Sequence, residues 1–465
     1  MRPSFLGTTP LTGTIFDVAL SPVFVDPRLN RARTPVLPAV ARGREFEVRF
    51  DHLTLFYDVF RENGETSILA IGPHLPSHFD PDVDVQFCDL VSGERLNATY
   101  LPSRGHIHGD MYRIMANAGT SSLHVSFGNQ HAIVAVQPNL SLLFAGRRVL
   151  TNRGQNDPIE WLVDWAWFHA REFGFDAIVH YDNGSTAYRA EDVRHALARV
   201  PGIEVVVVLP WPYPMEPPHA SIPATGELFW HQLKDRWAES ARLEHQRRRF
   251  LERAEMVLVA DTDELIIQRN PRLKIDDLFA NTEVAWVRFT SEIVVNTADL
   301  PDRLLHHRDL YWLRDEAAFK TPKYLVKPDR CPDEARWWLH DIAWAPGVDV
   351  SPDDYFVAHF IALTTGWGGK GSRAEKQTPA PGIHHPDIHL RGKLARVFNE
   401  YSDGSPDLRS HSGANPHLLR KKAHELIGSG NRPAALGRLT EAIALDPYHP
   451  IQHEVRKTLL AEEDS

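Results

Sequence analysis

The segment from Met256 to Glu264 joins an apolar run directly to a group of carboxylates. It consists of Met256-Val-Leu-Val-Ala260 followed by Asp261-Thr-Asp263-Glu264. A continuous apolar run of this length is typical of a strand that is buried on both faces of a parallel sheet. Ligands of such sheets gather at the carboxyl ends of the strands, which is where the two aspartates fall. The segment therefore predicts an α/β fold with Asp261 and Asp263 at its binding edge.

The chain before this segment alternates between strands and helices in the same way. Apolar runs predict strands at Arg148–Leu150, Phe175–His180 and Ile203–Leu209, and helical spacing predicts helices at Ile159–Phe173, Glu191–Val200 and about Phe229 to Arg253. The last of these helices is rich in charged residues. Strands that alternate with helices indicate an α/β domain with a mostly parallel sheet.

The patterns divide the whole chain into four parts. Residues 1–40 are rich in proline and arginine and predict an extended arm. Residues 41–142 contain alternating runs such as Phe46-Glu-Val-Arg-Phe50, which predict the strands of an antiparallel β-sandwich. Residues 143–400 are the predicted α/β domain. Residues 401–465 predict a short helical segment that resembles a tetratricopeptide unit. This segment would either pack on the α/β domain or dock another protein.

Composition excludes several classes of protein. The 465 residues include 51 Lys and Arg against 61 Asp and Glu, and this net charge of −10 argues against a nucleic-acid-binding protein. Two cysteines cannot form a disulfide framework, which favours a reducing compartment. No run of about 18 apolar residues predicts a transmembrane segment. We therefore expect a cytoplasmic protein.

Three sets of polar residues could carry chemistry. Asp261 and Asp263 offer the hard oxygen ligands that Mg²⁺ or Mn²⁺ prefers, the alternative being a solvated helix cap. Asp182-Asn183 closes another predicted strand and suits a ribose or a base edge, although it also fits a simple turn. The 25 histidines are scattered, and we expect His306-His307 to lie in a solvated loop.

Four motifs follow one another in a specific order. They are Glu160-Trp-Leu-Val-Asp-Trp-Ala-Trp-Phe-His169, Gly174-Phe-Asp176, Tyr181-Asp-Asn-Gly-Ser185 and Val259-Ala-Asp-Thr-Asp-Glu-Leu265. Together they resemble glycosyltransferases of the family-2-like and family-92-like group, which have a GT-A fold with a Rossmann-like sheet. The resemblance covers roughly residues 145–375.

The resemblance implies an inverting transfer of a sugar from a nucleotide-sugar donor to a glycan or another hydroxyl acceptor, with Mn²⁺ or Mg²⁺ as cofactor. The residues implied to bind the nucleotide sugar are Asp157, Asp182, Asn183, Asp261 and Lys323, and the implied metal ligands are Asp261, Asp263, His340 and His359. Asp315 and Glu316 follow the metal motif and are candidates for the base that takes the acceptor's proton.

Two other functions fit parts of the sequence. A sugar-phosphate nucleotidyltransferase also uses carboxylates and a metal at a sheet edge, but it normally has a basic, glycine-rich loop, of which Arg153-Gly154 is only a remnant. A scaffold without catalytic activity would use the β-sandwich and the terminal helices to bind carbohydrate or protein partners.

Overall fold

The structure is a computed structural model that describes residues 13–26, 33–43, 46–64, 66–75, 79–102, 109–215, 237–297, 304–315, 321–365 and 375–404, with Leu426, Ala434 and Arg438. Most of the predicted helical segment 401–465 and part of the predicted arm 1–40 lie outside these residues. Within the described ranges, none of the helices has the length and apolar character that a membrane crossing requires.

The N-terminal part contains ten strands and one short helix. They are β1 (Thr14–Phe16), β2 (Val23–Phe24), α1 (Phe46–Arg49), β3 (Thr54–Phe56), β4 (Asp58–Arg61), β5 (Ser67–Gly72), β6 (Val85–Asp89), β7 (Ala98–Leu101), β8 (Asp110–Met115), β9 (Ser122–Phe127) and β10 (Gln130–Ala135).

Two antiparallel sheets occupy the range predicted as a β-sandwich. One has the strand order β4-β5-β8-β7 and the other β10-β9-β6. Both contribute to one buried hydrophobic cluster, the first sheet through Val59 and Ile114 and the second through Phe87 and Val125. In β9, buried residues alternate with half-buried ones, as expected when one face of an antiparallel sheet packs and the other meets water.

The predicted strand at Phe46–Phe50 is wrong, because these residues form helix α1 and a bend. Five alternating residues place Phe46 and Phe50 four positions apart, which also suits one face of a helix. Their buried rings stack with centroids 5.6 Å apart and pack with Leu37 and Ala41, whereas Val48 is 82% exposed. Burial of the two rings therefore favours the helix.

The rest of the chain supplies the remaining strands and helices. They are β11 (Arg148–Gly154), α2 (Ile159–Phe173), β12 (Ala177–Asp182), α3 (Ala190–Leu197), β13 (Val205–Pro210), α4 (Trp237–Gln246), β14 (Met256–Val259), β15 (Glu264–Gln268), β16 (Trp286–Phe289), β17 (Ser291–Val295), β18 (Trp312–Arg314), β19 (Lys323–Val326), β20 (Arg336–Trp337), β21 (Ile342–Ala343), β22 (Gly347–Asp349), β23 (Tyr355–Phe360), β24 (His384–Pro386) and α5 (Ile388–Gly404). Helix α4 continues as a π-helical turn at Arg247–Leu251. Short 3₁₀ helices lie at Ala39–Ala41, Ser141–Phe144, Ile275–Phe279, His307–Asp309 and Pro328–Arg330.

A large mixed sheet forms the centre of an α/β fold. Its strand order is β1-β13-β12-β11-β14-β19-β16-β22. The first five strands run parallel to one another, as the sequence predicts for this region. Strand β19 is antiparallel to β14 and to β16. Strand β1 comes from the predicted arm and forms the outer strand of the parallel half. A second sheet, with the order β15-β23-β17-β18-β24, continues from the turn after β14.

Helix α2 has the bounds predicted from its apolar spacing. It ends at Gly174, which has φ 69° and donates its N–H to the carbonyl of Ala170. Glycine adopts this left-handed conformation without a steric penalty, so it is the usual residue at such a helix end. Leu162, Trp165 and Phe168 are buried in the hydrophobic cluster that also contains residues of β12, β13 and β14. The helix is therefore fixed against one face of the main sheet.

Helix α4 and its π-helical turn are buried although they are rich in charge. Seven ionisable residues are each at most 4% exposed: Glu239, Arg242, Glu244, His245, Arg247, Arg248 and Arg249. Charged groups are almost never buried to this extent unless they are paired. Arg242 is paired with Glu239 at 2.6 Å within the helix, and the other arginines reach carboxylates or carbonyls of neighbouring segments.

Asp58 of β4 links the N-terminal sheets to this helix. Its Oδ2 accepts hydrogen bonds from His245 Nε2 at 2.9 Å and Arg249 Nη1 at 2.7 Å, and its Oδ1 accepts one from the backbone N–H of Ser21. The hydroxyl of Tyr181 in β12 donates to the other ring nitrogen of His245 at 2.8 Å. Burial would raise the pKa of Asp58, but these hydrogen bonds and the Arg249 charge outweigh it and lower that pKa. The N-terminal sheets thus share a charged core with the α/β domain.

Replacing Asp58 by Asn should destabilise the protein by about 3–5 kcal/mol, because the variant leaves the buried Arg249 cation without its counter-charge. The midpoint of urea unfolding measures the loss. Arg288 and Asp349 form an exposed pair, so Asp349→Asn is the control and should cost at most about 1 kcal/mol. If Asp58→Asn unfolded at the wild-type midpoint, the network would have no structural importance.

Candidate functional site

The polar residues predicted for the site meet at the carboxyl ends of neighbouring parallel strands. Gly154 at the end of β11 pairs with Asp182 at the end of β12, and Thr151 of β11 pairs with Val259 of β14. The segments that carry Asp157 and Asp261 therefore leave the sheet at the same edge as Asp182. This convergence is what the sequence predicts for strands that run parallel.

Lys323 is the cation of the turn at residues 261–264. It is 3% exposed, and its Nζ donates to Asp261 Oδ2 at 2.5 Å and lies 3.1 Å from Glu264 Oε2. Desolvation alone would raise the pKa of Asp261, but the nearby Lys323 charge holds it below its usual range. The same two carboxylates outweigh the burial of Lys323 and raise its pKa. Lys323 and Asp261 therefore both stay charged near neutral pH.

Asp263, Glu264 and His359 form a group that could hold a metal ion. One ligand atom of each lies within 4.8 Å of the others, and His359 Nε2 is 3.3 Å from Asp263 Oδ2. Strands β15 and β23 bring them together, because Glu264 pairs with His359. Oε1 of Glu264 is buried and has no hydrogen-bond partner among the described residues, and burial raises the pKa of Glu264 to about 7. A buried, unpaired carboxylate oxygen beside a second carboxylate and an imidazole fits a divalent cation.

This group differs from the metal ligands that the resemblance implies. Glu264 belongs to it, whereas Asp261 is paired with Lys323. His340 Nδ1 lies 2.8 Å from the carbonyl of Pro322, and burial together with the Lys323 charge lowers the pKa of His340 to about 4. His340 therefore lies next to Lys323 as a neutral ring. The signal for Glu264 was its position directly after Asp263.

Asp157 faces the turn from the end of β11. Desolvation and the nearby charge of Asp263 raise its pKa to about 7. The hydroxyl of Thr262 accepts from Asn152 Nδ2 at 3.0 Å and donates to Asp157 Oδ2 at 3.4 Å. A Cβ on Gly154 would lie only 2.7 Å from Asp157 Oδ2, so a glycine is needed there. Asp157 is thus fixed beside Asp263.

Asp182 and Asn183 have different surroundings. Asp182 Oδ1 accepts from the backbone N–H of Ser185, and burial raises the pKa of Asp182. Asn183 donates both amide hydrogens to the carbonyls of Trp211 and Tyr213, at 2.7 and 2.8 Å. The side-chain donors of Asn183 are therefore engaged in holding the loop after β13.

Tyr188 belongs to this part of the site although no sequence signal identified it. Its hydroxyl lies 3.3 Å from Ser185 Oγ. Burial raises the pKa of Tyr188 well above its usual value, and the charges of Asp157 and Asp182 raise it further. Asn156, at φ 57°, accepts from the N–H groups of residues 186 and 187 and so fixes this loop against the end of β11. Tyr188 thus lies between two of the predicted site carboxylates.

Two arginines that were not among the predicted site residues lie beside the turn. Arg153 Nε is 2.8 Å from Glu239 Oε2, and Glu239 is in turn paired with Arg242 of α4. Desolvation raises the pKa of Asp261, and both arginine charges add to that of Lys323 in lowering it. Three cations therefore surround the carboxylates at this edge.

The expectation that His306-His307 lies in a solvated loop is wrong. His307 is fully buried and donates from Nε2 to the carbonyl of Thr262 at 3.0 Å. His306 Nδ1 lies 2.7 Å from Oδ2 of Asp164 in helix α2, which is also buried. Burial would raise the pKa of Asp164, but the two histidines lower it to about 2. The buried carboxylate of Asp164 provides a charge partner for both histidines, which compensates for removing their polar rings from water.

Asp315 lies apart from the acidic turn, and Glu316 lies outside the described residues. Asp315 follows β18, has a side chain that is 61% exposed and lies 3.5 Å from His385. Arg314 pairs with Ile293, which pairs with His359. Because neighbouring strands are about 4.8 Å apart, the backbone of Arg314, directly before Asp315, is roughly 10 Å from that of His359.

Replacing Lys323 by Met should lower the melting temperature more at pH 8 than at pH 5. The raised pKa of Lys323 and the lowered pKa of Asp261 mean that both are charged throughout this window in the wild type. In the variant two carboxylates lose their cation, and they can relieve the repulsion by taking up protons as the pH falls.

Lys393 provides the matched control, since it is buried and paired with Glu172, which keeps Arg396 as a second partner. Lys393→Met should show a loss that is nearly the same at both pH values. Measured without metal, an equal loss for Lys323→Met at pH 5 and pH 8 would contradict the assigned pairing.

Comparisons with known proteins give only distant similarities. No protein family matches the chain, and no curated protein matches it. Among solved structures, core-mannan synthase A from Aspergillus fumigatus in its Mn/GDP form is 11% identical, with a TM-score of 0.22 over 33% of this chain and 43% of that one. TarS from S. aureus in complex with UDP is 13% identical, with a TM-score of 0.25 over 67% and 92% of the two chains. The mannosyltransferase PcManGT from Pyrobaculum calidifontis in complex with GDP-Man and Mn²⁺ is 12% identical, with a TM-score of 0.24 over 65% and 86%.

This chain thus spans less than half the length of the mannan synthase. TM-scores in this range assign neither fold nor function to the chain.

Proposed function

We propose that this chain is a glycosyltransferase that uses a divalent cation to transfer a sugar from a nucleotide-sugar donor to a hydroxyl acceptor. The observation that carries the proposal is the grouping of Asp263, Glu264 and His359 beside the pair of Lys323 and Asp261, at the carboxyl ends of parallel strands. A nucleoside diphosphate carries both a sugar with hydroxyls and a diphosphate that needs cations. This edge offers groups for each.

The diphosphate end would lie at the acidic turn. Asp263, Glu264 and His359 would hold the cation, which would stabilise the negative charge that develops on the departing diphosphate. Lys323 and Arg153 add fixed positive charge close by. Charges that are already in place when the leaving group departs need no reorganisation, which is why such groups accelerate transfer.

The nucleoside end would lie at the loop after β12. Asp182 has one carboxylate oxygen bound to the N–H of Ser185, and its second can accept from a ribose hydroxyl. Tyr188 would offer a ring for the base or the ribose, and Asp157 would meet the base, as the resemblance implies. The structural bonds of Asn183 favour a supporting role for that residue.

Inversion requires a base on the face of the sugar opposite the diphosphate. Asp315 is the proposed base among the described residues, because it is exposed and directly follows Arg314, which lies two strands away from His359. A backbone separation of roughly 10 Å leaves room for a sugar ring and an acceptor hydroxyl between Asp315 and the metal-binding group.

Incubation with Mn²⁺ and a panel of nucleotide sugars tests the proposal. We expect slow release of a nucleoside diphosphate from one donor, and thermal stabilisation by that diphosphate. A true ligand at about 100 times its Kd adds roughly 2.7 kcal/mol to the free energy of unfolding. No turnover and no stabilisation across the panel would overturn the proposal and favour a scaffold.

Replacing Asp263 by Asn should lower donor turnover about 10²–10⁴-fold, because it removes a charged ligand from the cation that stabilises the leaving group. Without metal, the melting temperature should stay the same or rise, since Asp263 and Asp157 repel each other. The chain contains a second Asp-x-Asp pattern at Asp80 and Asp82, and Asp82 is exposed. Asp82→Asn is therefore the control and should keep wild-type turnover.

Replacing Asp182 by Ala should weaken binding of the nucleoside diphosphate by about 1–3 kcal/mol, the range for losing a buried hydrogen-bonded partner. Calorimetric titration measures the affinity. Asp84→Ala, in the turn that precedes β6, serves as the control. An unchanged affinity in Asp182→Ala would remove this residue from the nucleoside site.

A further inference from the structure

The backbone of the acidic turn is held at three successive carbonyls. The carbonyl of Asp261 accepts from the N–H of Glu264 at 3.1 Å, and that of Asp263 accepts from the N–H of Phe360 at 2.7 Å. The carbonyl of Thr262, between them, accepts from His307 Nε2 at 3.0 Å. Two of these bonds come from the backbone of the turn and of β23. The third depends on one side chain from a segment more than 40 residues away.

His307 also contacts the strand that carries the third residue of the metal-binding group. Its ring packs edge-on against Phe360 with centroids 5.0 Å apart. Phe360 directly follows His359 and donates its N–H to Asp263. His307 thus lies between the turn of Asp263 and Glu264 and the strand of His359, and it contacts both.

Helix α2 fixes His307 through two residues on one face. Trp161 Nε1 donates to the carbonyl of Leu305 at 2.6 Å, and Asp164 Oδ2 lies 2.7 Å from His306 Nδ1 and 3.8 Å from His307 Nδ1. Trp161 and Asp164 therefore anchor the two residues that precede His307 and so fix the segment from which its Nε2 reaches Thr262. Both residues belong to the segment Glu160–His169, whose polar members have no role in the proposed transfer.

We propose that His307, on a segment anchored by Trp161 and Asp164, is a positioning residue that holds the Thr262 carbonyl and thereby keeps Asp263, Glu264 and His359 in the arrangement that binds a divalent cation. The inference rests on the proposed function only for the presence of that cation. His307 would touch neither the cation nor the sugar donor. Residues that orient metal ligands typically change metal affinity 10–100-fold when they are replaced.

Mn²⁺ affinity of the full chain, measured by calorimetry, tests the proposal. His307→Leu removes the donor and should raise the Kd for Mn²⁺ about tenfold or more. His307→Gln keeps an N–H donor near the same place and should stay within about threefold of the wild type. Because His307 is buried, Asp164→Asn is a second variant that keeps the side-chain shape, and it should raise the Kd at least about threefold.

His389 provides the matched control, since its Nε2 contacts the carbonyl of Gln268 at 2.8 Å, at the far end of the same strand β15. His389→Leu should leave the Kd unchanged. Folded His307→Leu or Asp164→Asn protein with the wild-type Kd would overturn the positioning role while leaving the proposed function intact. Wild-type protein that bound no Mn²⁺ would overturn the metal centre, and the positioning role with it.

Discussion

The two ion pairs that Lys323 forms with Asp261 and Glu264 are the interactions on which the arrangement of the site depends. Strand geometry brings four carboxylates, Asp157, Asp261, Asp263 and Glu264, to one end of the sheet, where burial and the neighbouring carboxylates raise the pKa values of Asp157 and Glu264. Like charges in a poorly solvated site cannot all remain ionised without a cation nearby. Lys323 supplies that cation from β19, which is antiparallel to β14 and so delivers its first residue beside the end of that strand.

Because of this pairing, Asp261 and Asp263 have different environments, although the Asp-x-Asp pattern makes them look equivalent. Asp261 is bound to Lys323, and its backbone N–H donates to Glu264. Asp263 instead faces His359 across the turn and is a quarter exposed. One aspartate is thus paired with a cation of the protein, and the other faces the imidazole of His359 and the buried carboxyl of Glu264. A group with unsatisfied negative charge is what attracts a second, exchangeable cation.

The sequence predicts the parts of this arrangement that depend on local spacing. Helix α2, the apolar strand β14 and the meeting of Asp182 and Asp261 at one edge all follow from periodicity and from parallel strand order, whereas Asp157 is assigned to the site by the resemblance. A pattern of five residues at Phe46–Phe50 is too short to separate strand from helix, because alternation and four-residue spacing coincide there. The packing of Leu37 against the two rings, which only the structure shows, is what favours the helix over a strand.

Partners that are distant in the chain are the part that sequence reasoning does not reach. Nothing local distinguishes His307 from a solvated histidine, since its burial comes from Asp164, some 140 positions earlier. The charged helix α4 is a similar case, because Asp58 and Asp333, which pair with Arg249 and Arg248, lie on other elements.

The two cases share a physical cause. A buried charge is tolerated only with a partner, and the partner can lie on any element that the fold brings close. Buried polar residues therefore become the links between elements: the His306-His307 segment joins α2 to the acidic turn, and Arg249 joins the N-terminal sheet to α4. Because both links end on segments next to the candidate site, the shape of that site depends on contacts spread over most of the described chain.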